Sequence, residues 1–220
     1  ELRTIEEKHE YVDKIVNEML PKVAKQKLAD ACDVFFDQGY FDLNQSRRIL
    51  NAAARLGLDT KVHADELSDA GGADLAAELG SLSADHLLRA NLSGLEHMAD
   101  KSVVAVLLPT TALYLGIEYA NIKKLRQSKV CMALASDFNP GSSPTFHLPF
   151  VMSLACLGMG MTMAESFAAA TYGGARALGL HHEEGSLRIG AKPKMAVFKV
   201  PSYHALISNM AHPGLCEAVI

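Results

Sequence analysis

The sequence predicts an α/β protein built on a parallel sheet, and three observations carry that reading. Five short apolar runs recur between residues 31 and 135, at intervals of about 20 to 30 residues. A helix-like stretch separates each run from the next, as crossovers between parallel strands require. No short-period repeat or low-complexity segment interrupts the alternation. Five such strands fit an open doubly wound sheet or part of a β/α barrel. In either, chemistry gathers at the carboxyl ends of the strands.

The elements follow in order. The first 30 residues read as a charged helix over 6–20 and a second short helix after Pro21. Asp33-Val34-Phe35-Phe36 is the first strand. Residues 43–56 form the clearest helix: Ile49, Leu50, Ala53 and Leu56 share one face, Arg47, Arg48, Asn51 and Arg55 lie off it, and Gly57 offers a C-cap. The second strand is Thr60-Lys61-Val62-His63, and a weak third is Leu82-Ser83-Ala84. The fourth and fifth are expected over 102–108 and 130–135. Further helices are expected over 71–80, 92–100, 119–128, 147–158 and 163–178. Residues 138–164 are uncharged, but Pro140, Pro144, Pro149, Gly158 and Gly160 break them. They read as a loop and a buried helix rather than a membrane span. Past residue 184 the pattern changes to 185–190 and 195–200, two short strands with turn chemistry at Gly190 and Pro193. Residues 1–182 are therefore assigned to the β/α unit and 183–220 to a small β element.

Composition narrows the function classes. With 220 residues, 49% hydrophobic and 21% charged, the chain is an ordinary globular protein rather than a disordered or fibrous one. A net charge of -4 argues against nucleic acid as a partner. Cys32, Cys131, Cys156 and Cys216 form no C-x-x-C pair and read as reduced thiols of a cytoplasmic protein. No charged segment followed by an apolar run marks a signal peptide. The length falls short of the roughly 250 residues of a closed eight-fold barrel.

Three strand ends carry candidate chemistry. His63 closes the second strand, with Asp65 and Glu66 just beyond it. His86 follows the third strand; its neighbour Asp85 is given no role. Asp137 follows the fifth strand and is the only formally charged side chain between Lys129 and Glu165. A buried carboxylate there needs a cation or several donors, although a turn-capping role at Asn139-Pro140-Gly141 would also satisfy it. The segment 138–145 offers Asn139, Ser142, Ser143 and Thr145 ahead of a helix N-terminus, a place that favours an anion. One glycine and no lysine make it a poor nucleotide loop. His9, His97, His181, His182, His204 and His212 are read as structural, His147 as the opening of the next helix, and Met152, Met159, Met161 and Met163 as core filling. Imidazole and carboxylate at converging strand ends suit zinc or iron better than magnesium or calcium, and such a metal promotes hydrolysis.

At these residues the chain resembles a known family. Lys61-Val62-His63-Ala64-Asp65-Glu66, Ser83-Ala84-Asp85-His86-Leu87-Leu88 and Ala135-Ser136-Asp137-Phe138-Asn139-Pro140-Gly141-Ser142-Ser143-Pro144 are similar to the imidazolonepropionases, amidohydrolase-superfamily enzymes of histidine degradation. Val151 to Cys156 and Gly185-Ser186-Leu187 fit as well. The resemblance runs over nearly the whole chain. It implies strands four to eight of a metal-dependent-hydrolase (β/α)8 barrel and the start of a composite β-sandwich element. It makes His63 and Asp137 metal ligands, and Glu66, His86 and Asp137 catalytic. Glu66, Asn139, Gly141 and Ser142 become substrate contacts. The implied reaction opens 4-imidazolone-5-propanoate to N-formimidoyl-L-glutamate with one zinc or iron ion, in a homodimeric cytoplasmic enzyme. One departure is large: the family's His-x-His pair occurs nowhere in this chain. The 220 residues are thus expected to be a fragment that binds metal weakly and turns over negligibly in isolation. The alternatives are another cyclic amidohydrolase or deaminase, or a non-catalytic β/α module that holds an organic anion.

Overall fold

The computed structural model describes residues 5–209 and 216–220. It opens with α1 (Ile5–Lys14), a π-helical turn (Ile15–Met19) and α2 (Leu20–Gln26). These run on as one rod where the sequence predicts a break at Pro21. The widened turn lies where the missing proline N–H would leave a regular hydrogen bond unmade. Then come β1 (Ala31–Phe36), α3 (Leu43–Arg55), β2 (Asp59–Ala64), α4 (Gly72–Leu79), β3 (Ser83–His86), α5 (Leu92–Asp100) and β4 (Val104–Leu107). Next are α6 (Pro109–Leu115), α7 (Ile122–Ser128), β5 (Met132–Leu134), α8 (Leu148–Leu157) and α9 (Met163–Ala168). A second π turn (Ala169–Gly173) leads into α10 (Gly174–Ala177), followed by β6 (Ala196–Phe198), α11 (Tyr203–Ser208) and β7 (Cys216–Val219).

The helix starts are written locally. Asp42 and Gln45 form a reciprocal capping box on α3, and Thr162 and Glu165 form another on α9. Asn91 and Asn121 cap α5 and α7. Two helices were not foreseen. α6 is uncharged and lacks the polar face that would mark it, and α11 is too short to show a period.

Strands β1 to β5 pair in parallel and in sequence order. A doubly wound sheet reverses its order at a switch point. This one does not, which is the winding of a barrel wall. Its outer face buries Val34, Phe36, Val62, Ala64, Ala84, Ala105 and Leu107 against Ile49, Leu50, Leu75, Leu95 and Met98 of the helices. On the other face Val104, Val106, Leu108 and Ala133 form a smaller cluster with Ala177. Met152, Met159 and Met161 are buried in the main core and Met163 packs on it. Two glycines set how closely the layers approach. A Cβ on Gly72 would lie 2.6 Å from the Ala64 Cβ, and one on Gly173 would meet the Met132 carbonyl oxygen at 2.2 Å.

Residues 196–198 form an expected strand, β6, which pairs antiparallel with β7. Residues 185–190 do not: they make turns, with Gly185 and Gly190 at φ of 81° and 90°. The fourth strand begins at Val104 rather than residue 102, because Ser102 turns the chain at φ 60°. All four cysteines are free thiols. Among the described residues no helix is long and apolar enough to cross a membrane.

Candidate metal centre

The carboxyl ends of the strands open into a cleft of about 340 Å³, lined by Phe35, Tyr40, His63, Glu66, Leu67, His86, Leu115, Asp137, Asn139 and Ser142. Strand alternation aims His63 inward from β2. His86 would share the outward face of Ala84, but its φ of 76° re-aims it into the cleft. Asp65 and Asp137 adopt φ of 50° and 52° just past β2 and β5. Asp and His tolerate this left-handed region better than most residues. Each such residue stores of order 1–3 kcal/mol, a strain typical of functional sites.

Asp65 holds the loop after β2. Its buried carboxylate accepts from the backbone N–H groups of Ala70, Gly72 and Ala73 at 3.0, 2.8 and 2.9 Å. Asp37, past β1, accepts from the N–H groups of Leu67 and Ser68 at 2.8 and 3.1 Å. Glu66 is thereby clamped from both sides. Past β5, Thr110 and Ser143 both donate to the Ser136 carbonyl. Thr111 donates to Asp137 Oδ2 at 2.6 Å.

One donor atom each from His63, His86 and Asp137 lies within 4.8 Å of the others. His63 Nδ1 is 2.8 Å from Asp33 Oδ2, which leaves Nε2 for a ligand. Burial opposes charge on this ring, but the hydrogen bond and charge of Asp33, with Asp85 and Asp137, overcome it and push its pKa to about 9. His86 is the reverse case: burial, then the charge of His63, lowers its pKa to about 4. Its Nε2 faces Glu66 Oε2 at 3.6 Å, too far for a hydrogen bond, and its buried Nδ1 has no partner. Burial, then the charges of Asp137 and Asp37, raise the Glu66 carboxyl above its ordinary range, with His63 working against them.

Two imidazoles and a carboxylate, one imidazole carrying an unpartnered buried nitrogen, fit a transition-metal ion. Of the expected site residues, His63, Glu66, His86, Asp137, Asn139 and Ser142 share the cleft. Gly141 is outside its lining: it is exposed, and its N–H is taken by Asn139 Oδ1 at 2.9 Å. Among the other histidines, His97 pairs with Asp74 at 3.0 Å and His147 stands at the N-cap position of α8 without a side-chain capping bond; His212 is outside the described residues. Sequence reasoning missed Asp33 and Thr111, whose roles depend on partners 30 and 26 residues away. It also missed the wall of Phe35, Tyr40 and Leu115. No local signal marks any of them.

The amidohydrolase family profile matches residues 3–215. The chain belongs to the amidohydrolase family. Among curated amidohydrolase relatives, it is 52% identical over 194 residues to the imidazolonepropionase of Geobacillus kaustophilus, covering 88% of this chain and 46% of that protein. It is 45% identical over 211 residues to the imidazolonepropionase of Clostridium tetani, covering 96% and 50%. The chain thus spans about half the length of the curated relatives it matches. Among solved structures, a triazine hydrolase variant superposes with a TM-score of 0.78 at 17% identity, covering 95% of this chain and 54% of that one. A zinc-bound adenosine deaminase from Xanthomonas campestris gives 0.69 at 19%, covering 88% and 49%. At such identities these likenesses establish the shared barrel-type fold of the amidohydrolases.

Proposed function

We propose that the protein carrying this chain is an imidazolonepropionase, opening 4-imidazolone-5-propanoate to N-formimidoyl-L-glutamate by adding water across a ring C–N bond. The observation that carries the reading is the convergence of His63, His86 and Asp137 beside Glu66 in one cleft. Similarity to imidazolonepropionases over 88% of the chain supports the choice of substrate.

His63 and Asp137 would hold a zinc or iron ion, with His86 beside them. Such an ion polarises a carbonyl and brings the pKa of water toward about 7. The other steps belong to the chain's own groups. Glu66, its carboxyl raised by burial, takes a proton from the attacking water and returns one to the departing ring nitrogen. His86 stays neutral well below pH 7 and so can donate a hydrogen bond to the carbonyl oxygen without carrying charge. Thr111 fixes the rotamer of Asp137. Ser142, whose Oγ accepts from Asn139 Nδ2 at 2.9 Å, presents its hydroxyl to the substrate's propionate; Asn139 lines the same cleft and, donating also to the Asp137 carbonyl, fixes the turn to which Gly141 belongs. Phe35, Tyr40, Leu67 and Leu115 give the ring an apolar wall.

The test follows the loss of imidazolonepropionate absorbance in full-length protein. Glu66→Gln should lower turnover by about 10²–10⁴-fold without stoichiometric ammonia release. Unchanged turnover in Glu66→Gln would remove it from the mechanism. Ammonia formation would favour a deaminase on the same barrel.

A further inference from the structure

The inner face of the sheet carries polar and charged side chains that the reaction above does not use. Asp33 on β1, Lys61 on β2, and Ser83 and Asp85 on β3 surround His63 from below. The register sets Asp33 opposite Lys61 and Phe35 opposite His63, so Asp33 is the diagonal neighbour of His63. That diagonal is closed by the 2.8 Å contact between Asp33 Oδ2 and His63 Nδ1.

Asp85 is close by, with one donor atom each from Asp33, His63 and Asp85 inside 4.8 Å. It is nonetheless engaged elsewhere. Its Oδ1 accepts from Ser83 Oγ at 2.6 Å and lies 4.0 Å from Lys61 Nζ. Lys61 Nζ also donates to Ser83 Oγ at 2.5 Å and to the Ala177 carbonyl at 3.3 Å, which ties the network to α10. Lysine and serine thus hold Asp85, and Asp33 is left to the histidine.

We propose that Asp33 is the positioning carboxylate of the metal centre: by accepting the Nδ1–H it holds His63 in the tautomer and ring orientation whose Nε2 faces the cation. An imidazole with no partner at Nδ1 can present either nitrogen and can rotate about χ2. A carboxylate behind a ligating histidine removes both freedoms and raises the basicity of the ligating nitrogen. The proposal rests on the reading of His63 as a ligand. It differs from that reading in predicting the state of the ring itself, metal or no metal.

Full-length protein is compared with Asp33→Ala, Asp33→Glu and His63→Ala. Circular dichroism checks that each variant keeps the fold. Long-range ¹⁵N–¹H correlation spectra of metal-free protein at pH 10 report the His63 tautomer. The parent should show Nδ1–H alone, Asp33→Ala a mixture, and Asp33→Glu a return toward the parent. Competition with a chromophoric chelator then measures zinc affinity. Asp33→Ala should bind about 10–100-fold more weakly, with Asp33→Glu in between. An unchanged tautomer together with zinc affinity within twofold of the parent overturns the proposal. Full zinc affinity in His63→Ala instead overturns the ligand reading on which it rests.

Discussion

Replacing Gly72 by alanine should strain the site from behind. The new Cβ would lie 2.6 Å from the Ala64 Cβ, 2.9 Å from its Cα and 3.2 Å from the Asp65 nitrogen. Carbon atoms in good contact sit about 3.5–4.0 Å apart, so α4 must retreat from β2 by about 1 Å. Nothing in the way is a flexible tip; the atoms belong to the end of β2 and its exit. Overpacking of this kind costs about 1–3 kcal/mol, against less than about 1 kcal/mol recovered by removing a glycine from a first helical turn. A net loss of about 1–2 kcal/mol lowers Tm by about 2–8 °C for a chain of this size. The retreat also drags the Gly72 N–H away from Asp65 Oδ1, loosening the segment between His63 and Glu66. Thermal unfolding followed by circular dichroism measures it, with Gly174→Ala as the control. At Gly174 the nearest atom to an added Cβ is the Ala169 carbonyl oxygen at 4.0 Å, so that variant should be neutral or gain up to about 1 kcal/mol. A Tm for Gly72→Ala equal to or above the parent's would refute the packing argument.

Other outcomes follow from the same geometry. Thr111→Val keeps the shape but removes the hydroxyl donated to Asp137 Oδ2, and zinc affinity should fall about 10-fold or more in a chelator competition. Asp65→Ala strands three backbone N–H groups and should cost at least about 1–3 kcal/mol in urea unfolding. The Arg126 hydrogen bond, helped by Thr162, lowers the pKa of Glu165 from 4.5 to about 2. Its contribution is present above pH 4.5 and fades as pH falls toward 2. The partly exposed pair should lose no more than about 1 kcal/mol across that window, and Glu165→Gln should flatten the acid limb of the Tm profile.

Much of this protein was legible along the chain because the governing signals are local. The strands 33–36, 60–63 and 130–135, and helices such as 43–56, stand out by apolar period and by caps that bond within four residues. His63, Glu66, His86 and Asp137 stand out because polar groups seldom end apolar strands without a task. The resemblance to imidazolonepropionases rested on those same motifs, and the relatives' 45–52% identities bear it out. Elements with no period, α6 and α11, were invisible, and residues 185–190 looked like a strand because Leu187 and Ile189 alternate with the polar Ser186 and Arg188.

What the sequence by itself determined is the set of parts: the order of strands and crossovers, and the residue types able to hold a cation and move a proton. The tertiary structure decided which atoms meet. Only parallel pairing sets Asp33 diagonal to His63, and only the left-handed turn at His86 carries its ring from the helix side into the cleft. Burial lowers both rings, but the hydrogen bond and charge of Asp33 carry His63 up to about 9, while burial and the charge of His63 take His86 down to about 4. The physical reason is distance. Hydrogen bonds and Coulomb interactions act over a few ångströms in space, and the partners that tune each group lie some 20 to 70 residues away in the chain.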